Sequence, residues 1–230
     1  MNDDREIILS RVRGALAPLA QRAAYPNYPD EVAARRDAAD GTDPWSVFCE
    51  RVALVGGAGM ERVEDIVALL KANQWLHGYC DPKLWPQLAP AFGPEFTVET
   101  EFDRSRIDDY QFGITRAVAA IAETGTVILS DASTSRRLGA LTPWAHVAVL
   151  QRDEVLRTVA QAVARLDDDP NIVWVTGPSK TAEIEGIQIE GVHGPGRQIV
   201  LLRGEQLDSE SSAGLRPASG DRQSETGATR

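Results

Sequence analysis

The chain has 230 residues, of which 43% are hydrophobic, and a formal net charge of −10 from 24 Lys and Arg against 34 Asp and Glu. This length predicts one large domain or one domain with appendages, and the hydrophobic fraction excludes a chain that is disordered throughout. The acidic balance argues against a general nucleic-acid binder or an anionic-membrane binder, because those functions need clustered Lys and Arg.

The cysteines and histidines limit the metal chemistry that we expect. Cys49 and Cys80 lie far apart and form no C-x-x-C motif, so cysteine alone cannot hold a cluster that needs four thiolates. His77, His146 and His193 are scattered, and no H-E-x-x-H motif occurs. The sequence therefore predicts no metal site, and at most one disulfide fits a reducing compartment.

The N-terminal residues do not resemble a targeting segment. Asp3, Asp4 and Glu6 are followed by no apolar region of the kind found in signal peptides. No apolar run approaches the roughly 20 residues that cross a bilayer. We expect a soluble cytoplasmic protein with no membrane insertion and no nucleic-acid partner.

Residues 1–44 are predicted to form a helical extension. Apolar residues recur at helical spacing in residues 5–20, namely Ile8, Val12, Leu16 and Leu19. A second helix is predicted over residues 31–39. A third begins near Pro44 and carries Trp45, Phe48 and Val52 on one side.

Residues 45–203 are predicted to form an α/β domain, because short strands alternate with helices. The predicted helices are Glu64–Asn73, Ile114–Glu123 with Thr115 as N-cap, and Glu154–Leu166. The predicted strands are Trp75–Tyr79, Thr126–Leu129, His146–Leu150, Ile172–Thr176 and Gln198–Leu202. This alternation is typical of an open, largely parallel sheet flanked by helices. Residues 204–230 lack aromatic residues and are predicted to be a disordered tail.

The first candidate site is the segment Thr176–Glu185, where a predicted strand runs into Gly177 and Pro178. A helix beginning near Ser179 or Thr181 would present free N–H groups to an anion, and Lys180 would add positive charge. The alternative is an ordinary strand–helix turn in which Ser179 or Thr181 is only a cap. A P-loop is excluded because Ser179 replaces the glycine before Lys180.

Two glycine-containing turns and one arginine supply further candidates. His193, within Gly191–Gly196, is a candidate for proton transfer, and the alternative is a ring that hydrogen-bonds the loop backbone. Glu123, two residues before Gly125, is a candidate base or nucleophile, and the alternative is a polar helix terminus. Arg136 could contact an anion, and the alternative is a solvated charge.

Three segments together resemble the LutC/YkgG lactate-utilisation family, also called the LUD domain. They are Gly113–Leu129, Arg136–Leu150 and Thr176–Leu202. The resemblance implies a fold similar to the NagB/RpiA/CoA-transferase-like group and participation in L-lactate oxidation to pyruvate. It also implies that iron–sulfur clusters belong to partner subunits and that this chain carries no cofactor.

The motif positions define the predicted site. Glu123 and His193 are the catalytic candidates. The ligand-binding candidates are Thr124, Gly125, Thr126, Gly177, Ser179, Lys180, Thr181, Glu183, Glu185, Gly194 and Arg136. Glu183 stands where the family is associated with Asp, and no metal ligand is predicted. We expect the three turns to converge at one end of the sheet.

Three hypotheses about function follow. The leading hypothesis is a cytoplasmic LutC-type accessory subunit of an iron–sulfur lactate-oxidising system. The second is an independent enzyme for an anionic small molecule, in the style of a sugar-phosphate isomerase or CoA transferase, with Glu123 as base or nucleophile. The third is a binding or scaffold protein. The sequence leaves open whether a small anionic ligand binds and whether the chain forms a homo-oligomer.

Overall fold

The computed structural model describes residues 2–18, 42–130, 137–166, 171–184 and 187–204. The chain divides into two compact units between residues 35 and 36. In the first unit, α1 spans Asn2–Leu16. The helices of the second unit are α2 (Pro44–Leu54), α3 (Val63–Ala72), α4 (Trp85–Leu88), α5 (Arg137–Leu141) and α6 (Val159–Arg165), with 3₁₀ turns at Ala89–Ala91, Arg104–Asp109 and Arg152–Glu154.

The strands of the second unit are numbered in chain order. They are β1 (Ala58–Met60), β2 (His77–Cys80), β3 (Thr97–Glu99), β4 (Phe112–Arg116), β5 (Ala119–Ile121), β6 (Thr126–Ser130), β7 (Ala145–Gln151), β8 (Val155–Leu156), β9 (Ile172–Thr176), β10 (Lys180–Ile184), β11 (Ile187–Glu190) and β12 (Arg197–Arg203). No helix within the described ranges has the length and apolar character that crossing a membrane requires.

Six strands form a parallel sheet in the order β1-β12-β7-β4-β2-β3. Every neighbouring pair in it is parallel, with His146 opposite Gln198 on one side and Gly113 on the other. Strands buried on both faces read as apolar runs, as β7 and β12 do. The predicted mixed α/β fold, with a large parallel sheet flanked by helices, is confirmed.

A second sheet and a separate hairpin complete this unit. The second sheet has the order β8-β5-β6-β9, in which β5 and β8 are parallel and the other pairs antiparallel. Strands β10 and β11 form a two-stranded antiparallel hairpin whose register shifts between Thr181 and Ile184. The second sheet brings the end of β9 beside the turn between β5 and β6.

Each face of the parallel sheet has its own core. On one face, Ile114, Val147 and Leu201 pack with Ile66 and Leu70 of α3. The opposite face contributes Ala148 and Val200, which pack with α2 and the second sheet through Trp45, Phe48, Val52, Val127 and Leu129. Alternating side chains of one strand therefore enter different cores.

The helix predicted from Pro44 is confirmed as α2. The side chain of Asp43 accepts a hydrogen bond from the N–H of Ser46 at 3.3 Å, and Pro44 occupies the first turn. Trp45, Phe48 and Val52 are buried, as their spacing predicts.

The helix predicted over Ile114–Glu123 is wrong. The segment forms β4 and β5, and Thr115 lies within a strand instead of capping a helix. Both strands are buried, so tertiary packing overrides the helix propensity of the alanine-rich run.

Two further helix predictions need correction. Residues near Ser179 and Thr181 start no helix, because Lys180–Ile184 pairs with β11 as a strand. Within the predicted helix Glu154–Leu166, only Val159–Arg165 is α-helical, since Glu154 ends a 3₁₀ turn and β8 follows it.

Several predictions fall on residues that the structure does not describe. They are the helix at residues 31–39, the apolar position of Leu19 and the tail beyond residue 204. The domain boundaries at residues 44 and 203 stay predictions.

Candidate functional site

A chain of three threonine hydroxyls joins the β5–β6 turn to the end of β9. Thr126 Oγ1 lies 2.7 Å from Thr124 Oγ1 and 2.8 Å from Thr176 Oγ1. Gly125 in this turn has φ +65°, and a Cβ added there would lie 2.5 Å from the backbone nitrogen of Val52. The turn is therefore held closely against α2.

Ser179, three residues after the end of β9, connects this part of the chain to the loop between β11 and β12. Its N–H donates to the carbonyl of Pro195 at 2.8 Å, and its own carbonyl accepts from Gly191 at 2.9 Å. The N–H of His193 donates to Ser179 Oγ at 3.3 Å. A Cβ added at Gly194 would lie 3.3 Å from Ser179 Cβ, so the loop passes close to the serine. The three motif turns are thus neighbours, while a ligand-binding role for their residues stays a prediction.

Lys180 is the first residue of β10, and its side chain lies near the end of α2. Its Nζ is 3.5 Å from Glu190 Oε1, on the paired strand. A Cβ added at Gly56 would lie 3.2 Å from the same Nζ, which places the ammonium group near the C-terminus of α2. The carboxylate and the negative end of the helix dipole both stabilise this cation. Its charge is therefore partly balanced inside the protein.

Glu123 binds the start of a helix. Its half-buried carboxylate accepts a hydrogen bond from the N–H of Val159, the first residue of α6, at 2.6 Å. The Thr158 side chain accepts from the N–H of Gln161 at 3.2 Å, so two side chains satisfy N–H groups that the helix cannot pair itself. His193 has an exposed side chain in the loop before β12. The two predicted catalytic side chains are therefore positioned by different elements.

Replacing Glu123 is expected to affect stability through this cap. Glu123→Ala should lower the free energy of unfolding by about 1 kcal/mol, whereas Glu123→Gln retains an oxygen acceptor and should lose less. Urea unfolding followed by circular dichroism measures both effects. Glu50→Ala, at an exposed position of α2, is the control and should stay within about 0.5 kcal/mol of the wild type. Equal losses in the alanine and glutamine variants would contradict the capping role.

Gly177 is a second position where geometry explains a motif residue. It has φ +73°, and a Cβ added there would lie 2.6 Å from the carbonyl oxygen of Val55. Gly177→Ala is therefore expected to lower the free energy of unfolding by about 2 kcal/mol, through both backbone strain and the close contact. Thermal unfolding tests this, with Gly14→Ala as the control, because nothing lies within 4 Å of a Cβ added at Gly14. Equal stability of the Gly177→Ala variant and the wild type would be the contrary result.

Three central strands place a polar chain on one face of the parallel sheet. His146 Nε2 lies 2.8 Å from Thr115 Oγ1, and His146 Nδ1 lies 3.0 Å from Gln198 Oε1. The Gln198 amide nitrogen donates to the carbonyl of Ile199 at 3.3 Å, which leaves Oε1 as the acceptor. His146 Nδ1 therefore carries the proton, and Nε2 accepts from the Thr115 hydroxyl.

Burial determines the charge of this histidine. His146 is 0% exposed, and Thr115 and Gln198 are 1% and 2% exposed. Burial lowers the pKa of His146 to about 4, and its hydrogen bond to Gln198 opposes that shift. A hydroxyl hydrogen-bonded to an imidazole also occurs in nucleophilic catalysis, but an imidazole with so low a pKa is a weak base at pH 7. The arrangement fits a structural role in joining β4, β7 and β12.

A buried ion pair lies at the carboxyl ends of β4 and β7. Arg116 Nη1 donates to Glu154 Oε2 at 2.6 Å, and Nη2 contacts the other carboxylate oxygen. The N–H of Gln151 also donates to Glu154 Oε2, at 2.7 Å. The Arg116 and Glu154 side chains are 11% and 8% exposed. A bidentate ion pair that is so little exposed to solvent fixes the position of the Arg116 side chain relative to that of Glu154.

These two polar groups were not predicted from the sequence. The available signal was a polar residue inside a strand of apolar residues, as at His146 within Ala145–Gln151. Because Ile114–Glu123 was predicted to be a helix, Thr115 and Arg116 were not assigned to a strand. Arg136 and Glu185 lie outside the described residues, as does the side chain of Glu183, whose backbone belongs to β10.

The two cysteines belong to opposite faces of the sheet. Cys49 packs against the core of α2, and Cys80 is buried in the core of α3. Burial raises the pKa of the Cys49 thiol to about 11 and also raises that of Cys80. Within the described ranges, no group of three or more His, Cys, Asp or Glu side chains could hold a metal ion.

An exposed apolar surface lies beside the motif turns. It consists of Trp144, Ile187, Ile189 and Val192, and we call it the hairpin surface. Trp144 packs against the backbone of Gly191 and Gly196, where an added Cβ would meet the indole ring. Trp144 thus adjoins Gly191, the residue before Val192, and exposed apolar side chains that lie close together mark a candidate protein interaction site.

Comparisons with known proteins agree on one family. The model of the LUD domain matches residues 51–202. The chain is 34% identical over 111 residues to Lactate utilization protein C of Deinococcus radiodurans, an alignment that covers 46% of this chain and 52% of that protein. It is 28% identical over 153 residues to the protein YkgG of Escherichia coli, with 63% of this chain and 60% of that protein covered.

The chain thus spans about half the length of these relatives. A crystal structure of a DUF162 family protein from Deinococcus radiodurans matches with a TM-score of 0.49 and 25% identity, covering 70% of this chain and 96% of that one. The LUD match extends over well over half of the sequence, from the end of α2 through β12. The chain belongs to the LUD domain family.

Proposed function

We propose that this chain is a LutC-type protein of a cytoplasmic L-lactate utilisation system and acts beside an iron–sulfur subunit. The observation that carries the proposal is its similarity, within the LUD domain, to proteins named Lactate utilization protein C from several bacteria. The motif turns around Ser179 and Thr126 lie in the matched region.

The cysteine content supports a division of labour between subunits. A cluster held by four thiolates needs more cysteine than the two residues of this chain. Cys49 and Cys80 also belong to cores on opposite faces of the sheet, so they cannot ligate one ion together. The iron–sulfur chemistry of lactate oxidation would therefore be supplied by a partner protein.

The hairpin surface supports a contact with such a partner. Ile187 and Val192 are 61% and 53% exposed, and Trp144 is 44% exposed. Burying them against another protein would remove apolar area from water, the main driving force for association. We assign the contact with the iron–sulfur subunit to this surface.

Affinity purification from lactate-grown cells tests the proposal. A tagged wild-type chain should retain a partner that contains iron and acid-labile sulfide, whereas the double variant Ile187→Asp, Val192→Asp should not. Val163→Asp, an exposed apolar position on α6, is the matched control and should retain the partner. A wild-type preparation that holds no iron–sulfur protein would contradict the proposal.

An independent enzyme is the alternative that the same preparations can test. Its proposed base or nucleophile, Glu123, already accepts a hydrogen bond from the backbone of α6, which disfavours this role. The purified chain is assayed alone with phosphorylated sugars and acyl-CoA compounds. Turnover that is lost in Glu123→Gln, while stability is retained, would favour the enzyme.

A further inference from the structure

The helix α1 exposes an apolar stripe outside the region that matches the LUD domain. Ile8, Val12 and Leu16 follow one another at four-residue intervals, and their side chains are 60%, 48% and 38% exposed. Residues at this spacing lie on one side of a helix. A helix of 15 residues is marginal in water unless such a face is covered.

The charges that flank the stripe are arranged by sign along the helix, while Arg5, seven residues before Val12, lies on the stripe itself and contacts Glu6 at 3.3 Å. Asp4 and Glu6 lie toward the N-terminus of α1, and Arg11 and Arg13 toward its C-terminus. Positions seven apart differ by only about 20° around a helix. Asp4 and Arg11 therefore flank one side of the stripe, and Glu6 and Arg13 flank the other.

This arrangement is complementary to itself when two helices run in opposite directions. In an antiparallel pair, the acidic flanking residues Asp4 and Glu6 of each helix face the basic flanking residues Arg11 and Arg13 of the other. In a parallel pair, acidic residues would face acidic residues. Within one chain Glu6 Oε2 lies 3.8 Å from Arg13 Nη1, but both side chains are more than half exposed, so this pair remains accessible to a partner.

We propose that α1 is a self-association site, at which a second copy of this chain packs antiparallel against the stripe of Ile8, Val12 and Leu16. Two-fold symmetry makes the two surfaces identical, so the charge pattern needs no other protein. The proposal is independent of the role in lactate utilisation.

Sedimentation equilibrium of the full chain over a range of concentrations tests the association. The wild type should form dimers as its concentration rises, and Val12→Asp should raise the dimer dissociation constant at least about tenfold. Ser10→Asp adds the same charge away from the stripe and should leave the dimer intact. Circular dichroism shows whether each variant remains folded. A monomeric wild type, or a Val12→Asp variant that dimerises like the wild type, would overturn the proposal.

A charge exchange tests the direction of the helices without disturbing the stripe. The exchanged variant carries Asp4→Arg, Glu6→Arg, Arg11→Glu and Arg13→Glu. Antiparallel pairing keeps each opposite-charge contact of the flanking residues, so this variant should still form its own dimer, with a dissociation constant within about tenfold of the wild type because the exchanged charges oppose the helix dipole. A strong preference for mixed dimers of wild-type and exchanged chains would indicate parallel pairing and refute the antiparallel site.

Discussion

Acidification from pH 6.5 to pH 4 is expected to remove about 3 kcal/mol of folding free energy through His146. The unfolded chain has a histidine of ordinary pKa, 6.5, whereas burial lowers the pKa in the folded protein to about 4. Between these values the unfolded state binds more protons, so stability falls as the pH falls. The stabilising difference is complete above pH 6.5 and lost below about pH 4.

The pH dependence of urea unfolding isolates this effect. His146→Asn should be less stable than the wild type at pH 7, because it disturbs the contacts with Thr115 and Gln198. Its stability should nevertheless change less between pH 6.5 and pH 4, since the titrating group is gone. His193→Asn, at an exposed position of the loop before β12, is the control for replacing a histidine by asparagine. An unchanged slope in His146→Asn would contradict the assignment.

Arg116→Met is expected to lower the free energy of unfolding by about 3–5 kcal/mol. The substitution keeps an apolar side chain of similar length but leaves the buried carboxylate of Glu154 without its cation. The single backbone donor from Gln151 cannot replace two charge-assisted hydrogen bonds. Urea denaturation at pH 7 measures the loss.

An exposed pair supplies the matched control. Arg152 Nη1 lies 3.0 Å from Asp43 Oδ1 and Nη2 lies 3.6 Å from Glu61 Oε1, and about half of each of the three side chains is exposed. Arg152→Met should therefore cost at most about 1 kcal/mol. The double variant Arg116→Met, Glu154→Gln should be more stable than Arg116→Met alone, because no buried charge remains unpaired. Similar losses for Arg116→Met and Arg152→Met would rule out a special role for burial.

Local signals made part of the fold predictable. Pro44 signals the start of α2, and the spacing of Trp45, Phe48 and Val52 indicates its buried side. The apolar run of β7 likewise indicates a strand buried on both faces. In these elements the structure that the local sequence favours is also the one that packing in the folded protein requires.

Other elements depend on partners that are distant in the chain. The alanine-rich run Ala117–Ala122 has helix propensity, but β5 pairs with β6 and β8 and is buried on both sides. Thr181 extends into a strand because Ile189 pairs with it across the hairpin. The sequence of neither β5 nor β10 indicates which strand it pairs with.

The candidate site was predictable as a set of neighbouring turns but not in its chemistry. Thr126 meets Thr176, and Ser179 meets the loop of His193, as motif order suggests. The carboxylate of Glu123 binds a helix N-terminus that the sequence places 36 residues away. The roles of Glu123 and His193 in any reaction stay predictions.

Growth on L-lactate tests the central claim most directly. A strain that lacks this chain should fail to grow with L-lactate as sole carbon source and should grow normally on glucose. The wild-type chain and Val163→Asp should restore growth on L-lactate, whereas Ile187→Asp, Val192→Asp should not. Normal growth of the deletion strain on L-lactate would contradict a role in lactate utilisation.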